Sequence, residues 1–563
     1  LVPITLAIGI NLQSGIVDYW PVNDLTQVRV LATVSNKTGG DVLATLDTTT
    51  LANGSYVIRL QGTDSNGNQQ DSGVMVTVTG EYKPGRVRFT VTDLTIPLVG
   101  LPITIGRTYD SLERNQIGDF GYGWSLAIGN PKLETNPAHD VTLTMPDGRR
   151  STFYFTPQNY PGIFSSFKYP HYTPEAGVYG SLTSNGCDLL VLSGGQYFCF
   201  LEGDYQPTEY TYTDPYGRKF LMDAEGTLKT ITDLNDNVLT FSPDGITSSV
   251  GDIHIPFERD SQGRIEKITY PAGKDYLYGY DTEGNLETVT FPSVTLPDNS
   301  QQAIVLRYGY YPDDHFFKEA TDPRGYKPVI TTYDSSNRVE SVTDAAGSKT
   351  TYEYDLSLHK TTIHYLGNPA NPNDDLGDAV LVYDDDGLLT NYTNPLGEET
   401  VYEYENKNLT RVRDPLLHET RFTYNDDGHP TSIIDPLNKT LGSVDYNQYG
   451  GPTTMMTIQG GDATVEYDQV TYMPLSASDN YGSLGGYTWD PHGSPETYTD
   501  QYGETTNYTY TDQGYVEIKT DPLVEIGTPR NKTHYQYDEF GRVTDVTIAY
   551  QTADESTTHY KYD

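Results

Sequence analysis

Positive charge is scarce in this sequence. Its 563 residues include 36 Lys and Arg against 77 Asp and Glu, which gives a formal net charge of -41. Nucleic-acid phosphates and anionic lipids are bound through positive charge, so we expect neither as a partner. No run of about 18 apolar residues occurs, so we also expect no membrane insertion. A solvated acidic surface accounts for the charge, and calcium binding by clustered carboxylates is the alternative.

Cysteine is almost absent, since Cys187 and Cys199 are the only two. Two cysteines cannot complete a closed zinc site. Ser193-Gly194-Gly195 lies midway between them in an alternating apolar run. A hairpin turning there would place the two sulfurs nearly opposite each other. We predict a cross-strand disulfide, with two inert buried thiols as the alternative.

Catalytic signatures are also missing. The 11 histidines are scattered, and neither a His-Glu-x-x-His nor a Gly-x-Ser-x-Gly motif occurs. The paired carboxylates Asp385-Asp386 and Asp426-Asp427 fall at recurring turn positions, whereas a catalytic pair needs one special environment. We therefore predict a protein that is not an enzyme and uses no cofactor, calcium excepted. The N-terminus lacks both an initiator Met and a basic signal start, so we expect a segment of a longer chain.

Alternating strands separated by Asn-Gly turns fill residues 1–80, and this pattern predicts a small β-sandwich. One of these turns holds Asp64, Asn66 and Asn68, which are candidate calcium ligands. A tight turn uses the same residue types and is the favoured interpretation.

Residues 81–204 form a second, β-rich region. Within it, glycines alternate with bulky aromatics from Gly118 to Ser125. Such alternation is typical of places where the backbone passes close to a ring. We expect a close-packed plug or corner here, and the segment has no helix or Lys signature of a phosphate-binding loop.

A repeat occupies residues 205–563. Its mark is Tyr-x-Tyr, which places two rings on one face of a strand and the middle residue on the other. The middle residues are all polar or glycine. The second ring returns every 20 to 22 residues between 383 and 510, which is room for two strands and two turns. The predicted ring residues are Tyr210, Tyr212, Tyr278, Tyr280, Tyr308, Tyr310, Tyr352, Tyr354, Tyr402, Tyr404, Tyr508, Tyr510, Tyr535, Tyr537, Tyr560 and Tyr562.

The turns between the strands repeat as well. Asp or Asn stands first and Gly or Asn last, as in Asp281-Thr282-Glu283-Gly284, and the opposite turn often carries Asp-Pro or Asn-Pro. An Asp side chain caps such a turn, and Gly or Asn accepts a positive φ. The unit is therefore predicted to be a β-hairpin, stabilised by stacking on its neighbours.

Tyr-Asp pairs such as Tyr280-Asp281, Tyr383-Asp384 and Tyr467-Asp468 resemble the Rhs, or YD-repeat, family. The stretch from Thr108 to Trp124 is similar to the usual start of such an array, so the resemblance covers roughly residues 85–563. It implies an all-β, spiralling antiparallel sheet that forms a hollow shell or part of one. Family shells enclose a C-terminal toxin or form the adhesion shell of teneurins. The autoproteolytic Asp-Pro-x-Gly-Leu segment of toxin-releasing shells is not found.

The segment from Leu46 to Gly67 resembles bacterial immunoglobulin-like modules of cell-surface proteins. Together these features predict a non-enzymatic, extracellular or cell-surface shell segment whose partner is the remainder of its own chain, with a C-terminal toxin as one candidate. The alternatives are an adhesin-like module that binds glycans or a surface protein through exposed rings, and a filament subunit that self-associates through strand edges.

Overall fold

The computed structural model describes residues 1–22, 24–128, 131–145, 149–161, 167–201, 203–271, 273–295, 300–312, 314–368, 376–457, 461–523, 530–538 and 540–562. Strands dominate these residues, and the helical segments described are two 3-10 turns, Leu25–Gln27 and Thr48–Thr50. Over the described ranges no helix has the length and apolar character needed to span a bilayer.

The N-terminal 78 residues form two small antiparallel sheets, with strand orders β3-β2-β5-β6 and β1-β4. They share a core that includes Val17, Leu46 and Ile58. The strands predicted from the alternating pattern and the Asn-Gly turns are therefore present. The immunoglobulin-like resemblance and the boundary at residue 80 stay predictions. The strands are β1 Val2–Thr5, β2 Asn11–Pro21, β3 Arg29–Thr38, β4 Val42–Leu46, β5 Gly54–Thr63 and β6 Gln69–Val78.

The next region consists of short strands, all of them except β18 in four small sheets ordered β11-β8-β7, β10-β9, β12-β13-β14-β17 and β15-β16-β19-β20-β21. We call residues 81–128 the plug segment. The strands are β7 Arg88–Ile96, β8 Ile103–Asp110, β9 Ile117–Gly118, β10 Gly121–Tyr122, β11 Trp124–Leu126, β12 Lys132–Thr135, β13 Val141–Thr144, β14 Arg150–Phe155, β15 Gln158–Asn159, β16 Lys168–Tyr169, β17 Tyr172–Pro174, β18 Ser181–Ser184, β19 Leu190–Ser193, β20 Gln196–Cys199 and β21 Gly203–Asp204.

The remaining strands form one sheet of 33 strands, in which every strand from β22 onward pairs antiparallel with the next. The sheet opens with β18, upstream of the predicted start at residue 205, because Leu182 of that strand lies opposite Tyr212. The predicted hairpin array is confirmed. Its strands are β22 Glu209–Thr213, β23 Lys219–Asp223, β24 Leu228–Thr232, β25 Val238–Ser242, β26 Gly245–Ser248, β27 His254–Arg259, β28 Ile265–Thr269, β29 Asp275–Tyr280, β30 Leu286–Thr295, β31 Gln301–Tyr310, β32 Phe317–Thr321, β33 Val329–Tyr333, β34 Val339–Asp344, β35 Lys349–Asp355, β36 Lys360–Gly367, β37 Gly377–Tyr383, β38 Leu389–Thr393, β39 Glu399–Glu405, β40 Asn408–Arg413, β41 Glu419–Tyr424, β42 Pro430–Ile434, β43 Thr440–Tyr446, β44 Pro452–Thr457, β45 Ala463–Tyr467, β46 Pro474–Asp479, β47 Gly482–Trp489, β48 Pro495–Asp500, β49 Thr505–Tyr510, β50 Val516–Thr520, β51 Lys532–Tyr537, β52 Val543–Ile548 and β53 Ser556–His559.

The sheet coils back on itself. Tyr270, just after β28, and Phe540, just before β52, have ring centroids 5.0 Å apart. At a strand spacing of about 4.8 Å, a flat sheet would hold these positions roughly 110 Å apart. The Asn237 amide likewise donates to the His492 carbonyl at 2.9 Å. The sheet is therefore a spiral, and turns at the edge of its first coil contact turns at the facing edge of its second coil.

One edge of the spiral is covered at many points along its length. The plug segment packs against it at Arg338 and Gly387, where an added Cβ on Gly85 or Gly387 would collide with the facing backbone. Tyr179 continues this cover against Gly428. The opposite edge carries turn residues that are wide open to solvent, such as Leu396 and Leu437. The spiral is therefore closed along one edge and open along much of the other.

Candidate functional site

The turns of the array fix where each strand begins. In the turn at Asp414, the carboxylate Oδ1 accepts the backbone amides of Leu416 at 2.9 Å and His418 at 2.8 Å, and Leu417 has φ +67°. The pKa of the Asp414 carboxyl is lowered by hydrogen bonds from the backbone amide of His418, from the His418 ring and from the Leu416 amide. The same two amide bonds recur at Asp214, Asp223, Asp233, Asp260, Asp281, Asp322, Asp334, Asp344, Asn394, Asn425, Asp435, Asn447, Asp490, Asp500 and Asp538.

The second ring of most repeats is tied to the repeat before it. The Tyr404 hydroxyl donates to the Leu389 carbonyl at 2.9 Å, across the pair formed by β38 and β39. Each such bond satisfies a carbonyl that the ring would otherwise shield from water. The same contact, always 15 residues back, joins Tyr280 to Ile265, Tyr354 to Val339, Tyr424 to Leu409, Tyr467 to Pro452, Trp489 to Pro474 and Tyr510 to Pro495.

The ring pairs lie on the concave face. The plug segment packs onto this face from within the coil, with Phe120 against Tyr278 at 4.8 Å, Trp124 against Tyr308 at 5.1 Å and Tyr82 against Tyr383 at 5.6 Å between ring centroids. Strands so far apart in the meander can touch one segment only if the sheet curves around it. We call the ring-bearing side the inner face.

Burial of the predicted rings follows this geometry. Tyr210, Tyr278 and Tyr308 are buried, and the terminal Tyr560 and Tyr562 are exposed. The other eleven predicted rings are half-buried. Burial raises the pKa of Tyr510 to about 12 and also raises that of Tyr404. The rings therefore mainly form the inner surface of the sheet and hold neighbouring repeats together. No row of fully exposed rings runs along the described part of the inner face.

A buried polar cluster joins the plug segment to the first coil. Arg107 and Asp93 have fully buried side chains and form a two-pronged ion pair, at 2.6 Å from Nε and 2.8 Å from Nη2. The Tyr278 hydroxyl donates to the same carboxylate at 2.9 Å, and the guanidinium also lies over the Trp124 and Tyr308 rings. Burial opposes the charged guanidinium, but the Asp93 hydrogen bonds outweigh it and raise the pKa of Arg107.

Sequence reasoning missed this cluster. Arg107 lies just before the family-like stretch that begins at Thr108, and neither it nor Asp93 stood out as a site residue. The two residues are 14 apart and meet because Val91 pairs with Arg107 in the register of β7 and β8, with an irregularity between Thr92 and Leu94. A single Asp in an alternating strand carries no signal that distinguishes it from a solvent-facing residue.

The inner face continues beyond the plug segment. Ile433, Leu475 and Tyr487 lie on it and are 43%, 39% and 39% exposed. On the outer face of the preceding strands β39 to β41, Arg411 pairs with Glu403 and, at 2.8 Å, with Glu419. The second coil thus has an apolar concave side and a charged convex side. Between the plug segment and the rings of Tyr352, Tyr354 and Tyr383 there is also a cavity of about 640 Å³.

The other predicted site residues lie away from this face. Cys187 and Cys199 form a disulfide, with Cα atoms 5.7 Å apart, at the base of a hairpin that turns at Gly194-Gly195. In the N-terminal turn, the Asp64 carboxylate accepts the backbone amides of residues 66 and 68 and the Asn68 side-chain amide. This is the geometry of the repeat turns, and calcium binding there stays an untested prediction. Among the described residues, no three His, Cys, Asp or Glu side chains gather in a metal-binding group.

Family comparisons match the chain in two regions. A model described as a domain of unknown function, DUF6531, matches residues 81–153, and one described as RHS Repeat matches residues 333–363 and 383–416. No curated protein matches the sequence.

Solved structures of toxin-complex proteins show low similarity. A TcdB2-TccC3-TEV structure is 11% identical with a TM-score of 0.32, and the match covers 81% of this chain and 27% of that one. A Tc holotoxin pore from Photorhabdus luminescens is 10% identical with a TM-score of 0.28 and the same coverage. A TcdB2-TccC3 structure is 10% identical with a TM-score of 0.27, covering 90% of this chain and 44% of that one. The chain spans less than half the length of each.

Proposed function

We infer that this chain, which belongs to the Rhs/YD-repeat family, is the closed-end portion of a protein shell that encloses the remainder of its own longer chain. The observation that carries this proposal is the asymmetry of the spiral. One edge is covered by the plug segment and by coil-to-coil contacts, while much of the other edge is open. The wall curves with its apolar face inward and its charged face outward.

The chemistry of the two faces supports an enclosed polypeptide better than a catalytic role. Half-exposed Ile433, Leu475 and Tyr487 offer apolar surface to a chain held inside. The disulfide between Cys187 and Cys199 suits an oxidising compartment, so we place the shell outside the cell or on its surface. A C-terminal toxin is the enclosed segment that we favour, because the shells of this family hold such domains.

Site-specific photo-crosslinking tests the proposal. An unstructured polypeptide is appended to the C-terminal end of the chain, and a photoreactive amino acid replaces either Tyr402 or Glu403. These neighbours lie on opposite faces of β39, so they form a matched pair. We expect the appended polypeptide to crosslink from position 402 and not from position 403.

Protease protection gives an independent measurement. The appended polypeptide should survive a protease dose that removes the same sequence fused before Leu1, which is an exposed residue. Crosslinking only from the outer position, together with equal digestion of both fusions, would contradict enclosure.

A second candidate function is supported by aromatic residues on turns of the open edge. Tyr481 and Tyr502 are 91% and 81% exposed at the turns after β46 and β48. Exposed rings of this kind stack on sugar rings, so the open edge is a candidate glycan-binding surface. Glycan-array binding that disappears in Tyr481→Ala and Tyr502→Ala, with the fold unchanged by circular dichroism, would favour this adhesin-like function.

A further inference from the structure

Three side chains of complementary chemistry surround one cavity where the N-terminal sheet contacts the plug segment. The Asn53 side-chain amide donates to Glu81 Oε1 at 3.3 Å. The amide oxygen of Asn53 is buried and has no hydrogen-bond partner among the described residues. Lys83 lies two residues after Glu81, and all three side chains line one cavity of about 230 Å³.

The lysine amine is held close to the asparagine turn. Its Nζ donates to the Thr48 carbonyl at 2.9 Å, in the 3-10 turn that leads into Asn53. Burial is the main influence on this amine and lowers the pKa of Lys83 to about 8. Burial also raises the pKa of the Glu81 carboxyl. Roughly a tenth of the amine is therefore uncharged at pH 7, far more than for an exposed lysine, and the carboxyl accepts a proton more readily than an exposed one.

These groups have the properties that transamidation requires, in which an amine replaces the nitrogen of a carboxamide. A desolvated, uncharged lysine amine is a competent nucleophile, and a carboxylic acid beside a carboxamide can relay protons to the leaving nitrogen. Glu81 already contacts that nitrogen. The unpartnered amide oxygen is free to accept a proton or a hydrogen bond as the carbonyl carbon becomes tetrahedral.

We propose that Lys83 and Asn53 form an intramolecular isopeptide bond, with Glu81 as the proton-relaying residue. Lys83 Nζ attacks Cγ of Asn53, a C–N bond forms, and the bond from Cγ to Nδ2 breaks. Glu81 passes a proton from Nζ to Nδ2, which leaves as ammonia. The step consumes no oxidant, reductant or cofactor. Its product ties the N-terminal sheet covalently to the plug segment.

Intact-mass measurement of the purified chain tests this directly. We expect the mass to fall short of the sequence mass, corrected for the disulfide, by one ammonia. A protease digest should contain a branched peptide joining the Asn53 and Lys83 fragments. Lys83→Arg and Glu81→Gln should retain the ammonia and lack the branched peptide.

The control is Lys132→Arg. Lys132 lines the same cavity but is paired with Glu113 at 2.5 Å, so its variant should still lose ammonia. Asn53 precedes Gly54, and succinimide formation at such a pair also releases ammonia. Two results would overturn the proposal. One is a loss of ammonia that persists in Lys83→Arg. The other is a mass of the chain without substitutions that equals the sequence mass corrected for the disulfide. The second result is measured on the chain without substitutions, so it can be read even if a variant fails to fold.

Discussion

Removing the Asp93 carboxylate should destabilise the plug-to-sheet junction strongly. Asp93→Ala leaves the Arg107 guanidinium fully buried without its partner and deprives the Tyr278 hydroxyl of its acceptor. An arginine side chain does not lose its proton in a protein, so the buried guanidinium stays charged. Breaking a buried pair from one side costs about 3–5 kcal/mol. We expect a loss of that size in the unfolding transition of this region.

The double variant separates an unpaired charge from lost packing. Asp93→Leu with Arg107→Met removes both charges and keeps the volume filled, and such replacements are often neutral. The orphaned Tyr278 hydroxyl still costs about 1–3 kcal/mol. The double variant should therefore recover about half or more of the stability that Asp93→Ala loses.

Urea unfolding followed by tryptophan fluorescence is the assay. Trp124 reports on the junction once Trp20 and Trp489, the other two tryptophans, are replaced by Phe. Glu319→Ala is the control because its ion pair with Lys327 is solvent-accessible, and it should change stability by about 0–1 kcal/mol. If Asp93→Ala behaved like the control, or the double variant were no better than Asp93→Ala, the account of this cluster would be wrong.

Three further outcomes are expected in the repeat array. Tyr404→Phe should weaken local protection in hydrogen exchange by about 0.5–1.5 kcal/mol through its lost hydroxyl bond, and Tyr404→Ala should cost more, yet a complete loss of folding would contradict additive stacking. The pKa of Asp414 is lowered in the fold, so its contribution is present above the usual Asp pKa of about 3.9 and is lost as the pH falls through the lowered value. Asp414→Asn should remove this acid-side loss in pH-dependent hydrogen exchange, and identical pH profiles would refute it. Gly387→Ala and Gly397→Ala both strain a positive φ, but only the first adds a Cβ that meets the plug segment, at 2.6 Å. Limited proteolysis should therefore cut the plug segment faster in Gly387→Ala alone, and equal cutting of the two variants would argue against that contact.

Much of the repeat array was predictable because its interactions are local in sequence. The turn at Asp414 and the clamp from Tyr404 to the residue 15 positions earlier each join neighbouring strands, so a period of 20 to 22 residues already holds both partners. The disulfide hairpin at Gly194-Gly195 is local in the same sense. The N-terminal side of the repeat sheet was less predictable, since β18 pairs into it without a Tyr-x-Tyr motif.

The sequence by itself determined that this protein is an acidic, all-β chain of stacked hairpins, with rings on one face of each strand and polar residues on the other. Alternation and turn chemistry act over a few residues, so they can be read without a structure. Only the tertiary structure decided which way the sheet curves, that Tyr270 meets Phe540 after one coil, and that Tyr278 of the first coil meets Asp93 of the plug segment. Those contacts depend on a curvature summed over many strands, and no single repeat encodes it.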